Sequence, residues 1–455
     1  MIRCFINKIF DYISKKFGLS NNGIKKYLSN FSWQMGDYVF ALTASLIVGI
    51  AVARYLGPEM YGIISLAVAI YAVAVIVVSL GIDDIIIRDM MQQPEKQGII
   101  QGSALFIKFI AALISYLIIL VYSFLNFEGN KLYAVCIIAA AVFFQPLSVF
   151  SSIFLINAQS KYTSIARMIS YTLSSILKII FIIVKAPVIY FAFAVFLDYA
   201  VLYISVIVMY KLKKYTIKGW CIDFDFIKYI LKNAVPLFSV VIFYTFYQKI
   251  TVIMISSMYS DYAAGIYSVA IRLTEVWYLV PAVLMTALYP AIINAKKVSE
   301  EEYHKRIKNL FYITSFPFIL MAFLVMLLSP FIIHLLYGDK YIQSSIVLAV
   351  TIWVTPFILF YTISSKYFIL ENKTAHLLLR SALSFILAAV LNFILGKYYY
   401  LEGFSISLVI SAFISFFLID IFFKDTRWLF FIKLSSIFLP LIKGLNLLKK
   451  DKTNP

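Results

Sequence analysis

Six basic residues stand inside long apolar stretches of this 455-residue chain: Lys108, Lys178, Lys249, Arg272, Lys366 and Arg380. Each costs about 2.5–3.5 kcal/mol at the centre of a hydrocarbon layer, so it needs a wet cavity, a partner or a route to water. Lys366 and Arg380 lie near the ends of their stretches, where a long side chain snorkels to the surface. Lys108, Lys178, Lys249 and Arg272 lie deeper and are expected to line a polar cavity. Cations around a lumen suit a pyrophosphate: the Arg272 guanidinium offers a bidentate grip, and Lys249 and Lys178 act as point charges. A local reading competes for Arg272, because Glu275 follows on the same helical face and would neutralise it.

The embedded acids are fewer. Asp37 lies about two turns inside the first apolar stretch and Asp198 in the middle of the sixth. Either binds a coupling ion, H+ or Na+, or serves as counter-ion to a lysine; the sequence leaves both open, and coupling to the membrane potential as well. Asp420, near the end of its stretch, is expected to snorkel. Phe243, Tyr244, Phe246 and Tyr247, beside Lys249, either stack on sugar rings or pack as ordinary apolar surface. Catalytic groupings are missing: His304, His334 and His376 are not spaced as metal ligands, and neither are Cys4, Cys136 and Cys221. No phosphate-binding glycine loop or nucleophile–base pair accompanies them, so neither a metal nor a resident cofactor is expected.

The elements that carry these residues are membrane spans. The chain is 63% hydrophobic and 14% charged, with a mean hydropathy of +0.92, against about half apolar and a quarter charged in a soluble domain. Apolar runs fall at 31–53, 62–80, 99–123, 132–156, 165–185, 188–210, 233–255, 265–293, 310–336, 342–370, 375–395 and 401–423. The predicted fold is therefore an all-α polytopic membrane protein of about 12 helices. With a cytoplasmic N-terminus, 29 of the 40 Lys and Arg residues fall on the cytoplasmic side and five outside: Arg54, Lys131, Lys185, Lys340 and Lys397. That asymmetry places both termini in the cytoplasm and accounts for most of the +18 net charge without nucleic acid. Segment 1–30 begins with an amphipathic pattern over 1–17, and the basic segment 424–455 includes a second one over 428–450. Both are expected to lie on anionic phospholipid.

The chain also reads as a repeat. Gly62-Ile-Ile-Ser-Leu-Ala-Val and Gly265-Ile-Tyr-Ser-Val-Ala-Ile align at an offset of 203 residues. Two six-helix bundles with the same orientation follow, an N-lobe at 31–210 and a C-lobe at 233–423, joined by the basic linker 211–232 around a central cavity.

Two motifs then carry a family resemblance. Arg54-Tyr-Leu-Gly-Pro-Glu-Met-Tyr-Gly62 precedes Ser79-Leu-Gly-Ile-Asp-Asp-Ile-Ile-Ile-Arg-Asp89; later come Gly265–Leu273, Glu275-Val-Trp-Tyr278 and Tyr289-Pro290. Over roughly 30–425 the chain resembles the polysaccharide repeat-unit (O-antigen and capsule) flippases, Wzx-like members of the multidrug/oligosaccharidyl-lipid/polysaccharide exporter superfamily. The resemblance implies a V of two bundles that moves an undecaprenyl-pyrophosphate-linked oligosaccharide from inner to outer leaflet of a bacterial cytoplasmic membrane. It also implies neighbours in the pathway, a polymerase and glycosyltransferases. Thr251 stands where relatives often carry an acid after a cation, which puts an ion-coupling role there in doubt. Rival readings are a multidrug exporter or peptidoglycan-precursor flippase of the same superfamily, or a membrane oligosaccharide polymerase. Outer connections of about ten residues or fewer speak against the polymerase.

Overall fold

The computed structural model describes residues 21–437, whose regular structure is all helical and contains no strand. Its helices are α1 (Asn21–Ser79), α2 (Asp83–Gln92), α3 (Gln97–Asn126), α4 (Gly129–Ala140), α5 (Val149–Ile156), α6 (Ser160–Ile183) and α7 (Val188–Leu212). They continue as α8 (Phe224–Met258), α9 (Asp261–Val276), α10 (Leu279–Val298), α11 (Glu300–Tyr337), α12 (Ser344–Thr351), α13 (Val354–Leu370) and α14 (Thr374–Phe416). A last helical stretch covers 427–437. The amphipathic pattern over 1–17 and the far end of 428–450 lie outside the described residues.

Ten stretches are long and apolar enough to cross a membrane among the described residues. Two of them, Ser32–Gln92 and Thr374–Ile421, run to 61 and 48 residues. At 1.5 Å per residue that is about 90 and 70 Å, against about 30 Å of hydrocarbon. Both are broken: the first at Gly57 (φ 72°, ψ 171°), the second at Tyr399 and Tyr400. Each therefore supplies two spans, and the total among the described residues is twelve. Gly57 tolerates the positive φ, and Pro58 opens the next span with a ring that suits a first helical turn.

Prolines set the other interruptions. A proline removes the hydrogen bond to the carbonyl four residues back and crowds it. Helix α9 gives way to α10 at Trp277–Tyr278, three to four residues before Pro281; α12 gives way to α13 at Ile352–Trp353, the same distance before Pro356. Around Pro146 the fourth span tightens into 3₁₀ geometry over Ala141–Ser148. Helix α8 passes through Pro236 without a break.

The chain divides into two compact units. In the first, residues 21–49 and 77–234, the core gathers Ile82, Ile86, Met90, Val149, Phe154 and Val206. Residues 211–232 are fastened to it. The Trp220 ring lies 4.9 Å from Phe150, and the Asp223 amide donates to Ser103 Oγ at 2.9 Å. Asp223 Oδ1 in turn accepts the amides of Asp225 and Phe226 and caps the start of α8.

The second unit comprises 50–76 with 235–437. Inside it the two repeated motifs meet. A side chain added at Gly62 would strike the Asp261 carbonyl and the Gly265 amide; one added at Gly265 would strike the Pro58 carbonyl and the Gly62 amide. Positions 58 and 261, like 62 and 265, differ by the repeat offset of 203, so the contact is reciprocal under the repeat.

The same unit holds a buried charge cluster where snorkelling was expected. Arg380 and Asp420 are 1% and 0% exposed and paired to each other, and Lys433 Nζ, also 0% exposed, lies 2.6 Å from Asp420 Oδ2. Lys433 further donates to the Phe416 carbonyl at 2.9 Å, and the Arg380 guanidinium covers the Phe368 ring at 4.3 Å. Stretch 427–437 is thereby drawn into the bundle: Leu429 is fully buried, and Ser435 and Ser436 pair with Tyr312 and Ser315 of α11. An acid between two cations satisfies them locally more fully than the headgroup region would, and this corrects the surface reading of the tail's first residues.

Two outcomes are expected from thermal melts of the detergent-purified protein. Gly62→Ala and Gly265→Ala should each cost about 1–3 kcal/mol by overpacking, and by similar amounts, while Gly36→Ala, with open space around it, should not destabilise. Asp420→Asn strands two buried cations and should cost about 3–5 kcal/mol, more than Lys433→Met, which leaves Arg380 and Asp420 one to one.

Candidate functional site

Each unit carries its own set of embedded charges, and the helices that place them do so through pairs distant in sequence. In the first unit, Asp37 on α1 is 2% exposed; its Oδ2 lies 3.3 Å from Arg167 Nη1 on α6, while its Oδ1 is buried without a hydrogen-bond partner. A carboxylate oxygen left unmatched in a low-dielectric setting is a point at which a proton or small cation would be stabilised. Asp198 on α7 accepts from Ser170 Oγ at 2.7 Å and has Lys178 Nζ at 3.9 Å. Both members of that pair keep about a fifth of their side-chain surface exposed (20% and 19%).

Lys108, expected to line the cavity, is instead fully buried: its Nζ donates to Asp83 Oδ1 at 2.5 Å and to Ser148 Oγ at 3.0 Å. Ser79 Oγ holds the other Asp83 oxygen at 2.9 Å. This cluster ties the start of α2 to α3 and the fourth span, a structural task, and leaves the ammonium no surface for a solute.

In the second unit, Lys249 Nζ on α8 lies 2.7 Å from Glu275 Oε1 on α9. The local reading gave Glu275 to Arg272; its charge does favour that guanidinium, and its carboxylate also accepts from Lys249, 26 residues away. Arg272 Nη1 donates to the Tyr61 hydroxyl at 3.2 Å. Tyr61 is fixed edge-on against Tyr341, whose own hydroxyl donates to the Ala53 carbonyl at 2.8 Å. The Lys249–Glu275 pair is part-open, with side chains 24% and 32% exposed, so the protein does not seal it.

The aromatic group beside Lys249 is largely taken up by partners on other helices of the unit. Tyr244 stacks on Tyr361 at 5.0 Å, Phe243 and Phe246 contact Phe385, and Tyr247 is 1% exposed with its hydroxyl on the Leu408 carbonyl. Thr251 is buried and accepts a hydrogen bond from Asn392 Nδ2 at 3.0 Å, a neutral contact. Outside the spans, burial works against the Asp425 carboxylate, but hydrogen bonding from Lys373 at 2.9 Å and the nearby His376 hold its carboxyl below the usual range. Among the described residues no three His, Cys, Asp or Glu side chains gather as a metal site.

Three partners were not singled out from sequence: Arg167 for Asp37, Asp83 for Lys108 and Tyr61 for Arg272. Asp83 and Tyr61 lie inside the quoted motifs, so motif membership was their one available signal. Arg167 stands two residues into the fifth apolar run, at its basic end.

The model of a family described as "Polysaccharide biosynthesis protein" matches residues 27–296, and a second, MatE, matches residues 236–394. No curated protein matches the chain. Among solved structures, the fold is similar to lipid II flippase MurJ in an inward closed conformation, with TM-score 0.70 and 14% identity over 92% of this chain and 93% of that one. It is also similar to an inward-facing multidrug resistance MATE transporter of the MOP superfamily, with TM-score 0.62 and 16% identity over 90% and 96%. An outward-facing form of such a transporter gives 0.58 and 15% over 89% and 96%. At these identities the likeness is one of fold.

Lys249→Met and Glu275→Gln should each destabilise the protein in thermal melts, and the double substitution should recover much of the loss. A coupling of about 0.5–3 kcal/mol in the double-mutant cycle is expected for a part-exposed pair; strictly additive losses would mean the pair is not formed.

Proposed function

The chain belongs to the polysaccharide biosynthesis protein family, and from that premise we propose that it carries an undecaprenyl-pyrophosphate-linked oligosaccharide repeat unit from the inner to the outer leaflet by alternating access. The observation that carries this reading is the part-open Lys249–Glu275 pair one helical turn from Arg272. An ammonium held by a carboxylate that a solute can reach is able to exchange that carboxylate for a phosphate oxygen. The Arg272 guanidinium on the neighbouring helix adds a donor geometry that matches phosphate. Lys178, 3.9 Å from Asp198 and part-exposed, is a second exchangeable contact. Lys108 is a strut in this scheme.

Asp37 and Asp198 are the carboxylates at which a coupling ion, H+ or Na+, would bind; the membrane potential is the other available drive. The setting is a bacterial inner membrane with both termini cytoplasmic, as the asymmetry of basic residues supports. Anionic phospholipids and the polymerase and glycosyltransferases of the pathway are the partners that follow. The MatE match favours one rival, export of a cationic drug. The spans of the second unit oppose it: Lys249, Arg272, Lys366 and Arg380 stand there with only Glu275 and Asp420 as embedded acids, a field that repels a cation.

In cells lacking their own exporter, Lys249→Ala and Arg272→Ala at unchanged protein level should reduce surface polysaccharide display at least about tenfold, the effect of a lost charged hydrogen bond. Full display by both variants would remove these residues from the mechanism.

A further inference from the structure

The embedded lysines of this protein share one habit. Lys108, Lys178, Lys249 and Lys433 each lie within 4 Å of a carboxylate, those of Asp83, Asp198, Glu275 and Asp420. Lys366 does not. Among the described residues its Nζ has no carboxylate within ion-pair distance, and its recorded neighbour is the ring of Tyr289 on α10, 5.2 Å from the centroid. A lysine that only snorkels points its ammonium along its own helix toward headgroups. This one leans across to another helix of the same unit and rests on an aromatic face. Such a contact is worth about 0.5–2 kcal/mol, less than an ion pair, and leaves the three N–H donors of the ammonium available.

Position adds a second argument. Lys366 is four residues, about 6 Å, from the end of α13 at Leu370. Arg272 lies eleven residues, about 16 Å, beyond the Asp261 end of its helix, and Tyr289 stands 17 residues further on, in the next helix. Under the orientation set by the basic residues, Lys366 is at the cytoplasmic end of the second unit and Arg272 in its outer half. A phosphorylated headgroup taken up from the cytoplasmic leaflet therefore reaches the ammonium of Lys366 before it reaches Lys249 or Arg272, and meets there no resident carboxylate to displace.

We propose that Lys366, steadied by Tyr289, is the first binding group for the diphosphate of the incoming lipid, from which the headgroup passes to Lys249 and Arg272. This rests on the reading of the cargo as a lipid diphosphate. The recognised chemistry is a phosphate ester, which bulk anionic phospholipid also offers. The test therefore uses the purified full chain in phosphatidylcholine nanodiscs, titrated with a short-chain polyprenyl diphosphate, and repeats the titration with phosphatidylglycerol added.

Lys366→Gln should weaken binding about tenfold or more, as the loss of a hydrogen bond to a charged group does, while Lys366→Arg stays within about threefold of wild type. Lys366→Gln should lose in melts no more than the ring contact is worth, and Lys366→Arg should melt like the wild type, since the side chain bridges no ion pair. Equal affinity of Lys366→Gln and wild type overturns the assignment and leaves the proposed function standing. Absence of diphosphate binding by the wild type overturns both. If phosphatidylglycerol abolishes wild-type binding and Lys366→Gln is insensitive to that lipid, the site belongs to bulk phospholipid and the assignment falls.

Discussion

The constraint on which this structure depends is that hydrocarbon cannot solvate a charge. Every ionic group carried into the spans must find its counter-charge, its hydrogen bonds or its water within the protein. The chain meets this with pairs drawn from different helices, and the pairs fall into two kinds. Lys108 with Asp83 and Ser148, and Arg380 with Asp420 and Lys433, bury their cations completely. Breaking them would leave a bare charge, so they fix helices in place. Lys249 with Glu275 and Lys178 with Asp198 remain part-exposed. Their charges are not sealed by protein, so separating them costs less than breaking a fully buried pair.

Backbone groups are bound by the same constraint. A carbonyl that loses its partner inside a membrane is tolerated only where protein or water can replace it. The interruptions before Pro281 and Pro356 and the 3₁₀ stretch around Pro146 all occur within packed helices, and Thr355 and Thr351 return hydrogen bonds to carbonyls one turn back. Small residues serve a different end. Gly62 and Gly265 let two helices touch backbone to backbone, the form of association that works where lipid and side chain are equally apolar.

Much of this was legible in the sequence because composition and periodicity report directly on the solvent around a helix. The twelve spans emerge close to the apolar runs, including the two breaks at Gly57 and Tyr399–Tyr400 that divide otherwise continuous helices. The repeat was visible as a pattern, though not that its two copies would meet at Gly62 and Gly265. Ion partners were not legible. Sequence rules see three or four residues along a helix, and so they set Glu275 beside Arg272 without showing Lys249 there, and let Arg380 and Asp420 snorkel. The observed partners lie 25, 26 and 40 residues apart for Lys108, Lys249 and Arg380, distances set by helix packing. Lys433 was concealed for another reason: it stands in a basic tail whose average character resembles a surface helix, while its own position is inside.

A carrier of anions in such a setting faces opposed demands. A cation presented alone at the centre of the membrane would destabilise the empty protein, yet a cation locked in a sealed pair could not bind cargo. A part-open pair reconciles them: in the empty protein Glu275 neutralises Lys249, and an arriving phosphate offers more charge and more acceptor oxygens than the carboxylate it replaces. The released Glu275 is then itself unpaired and favours taking up a proton or turning toward the neighbouring Arg272, one helical turn away. Under the proposed function, cargo binding would exchange the charge partner between α8 and α9, and α9 is the helix that carries Gly265. That helix meets the first repeat at Gly62, so α9 carries both the acid of the part-open pair and the contact between the repeated motifs.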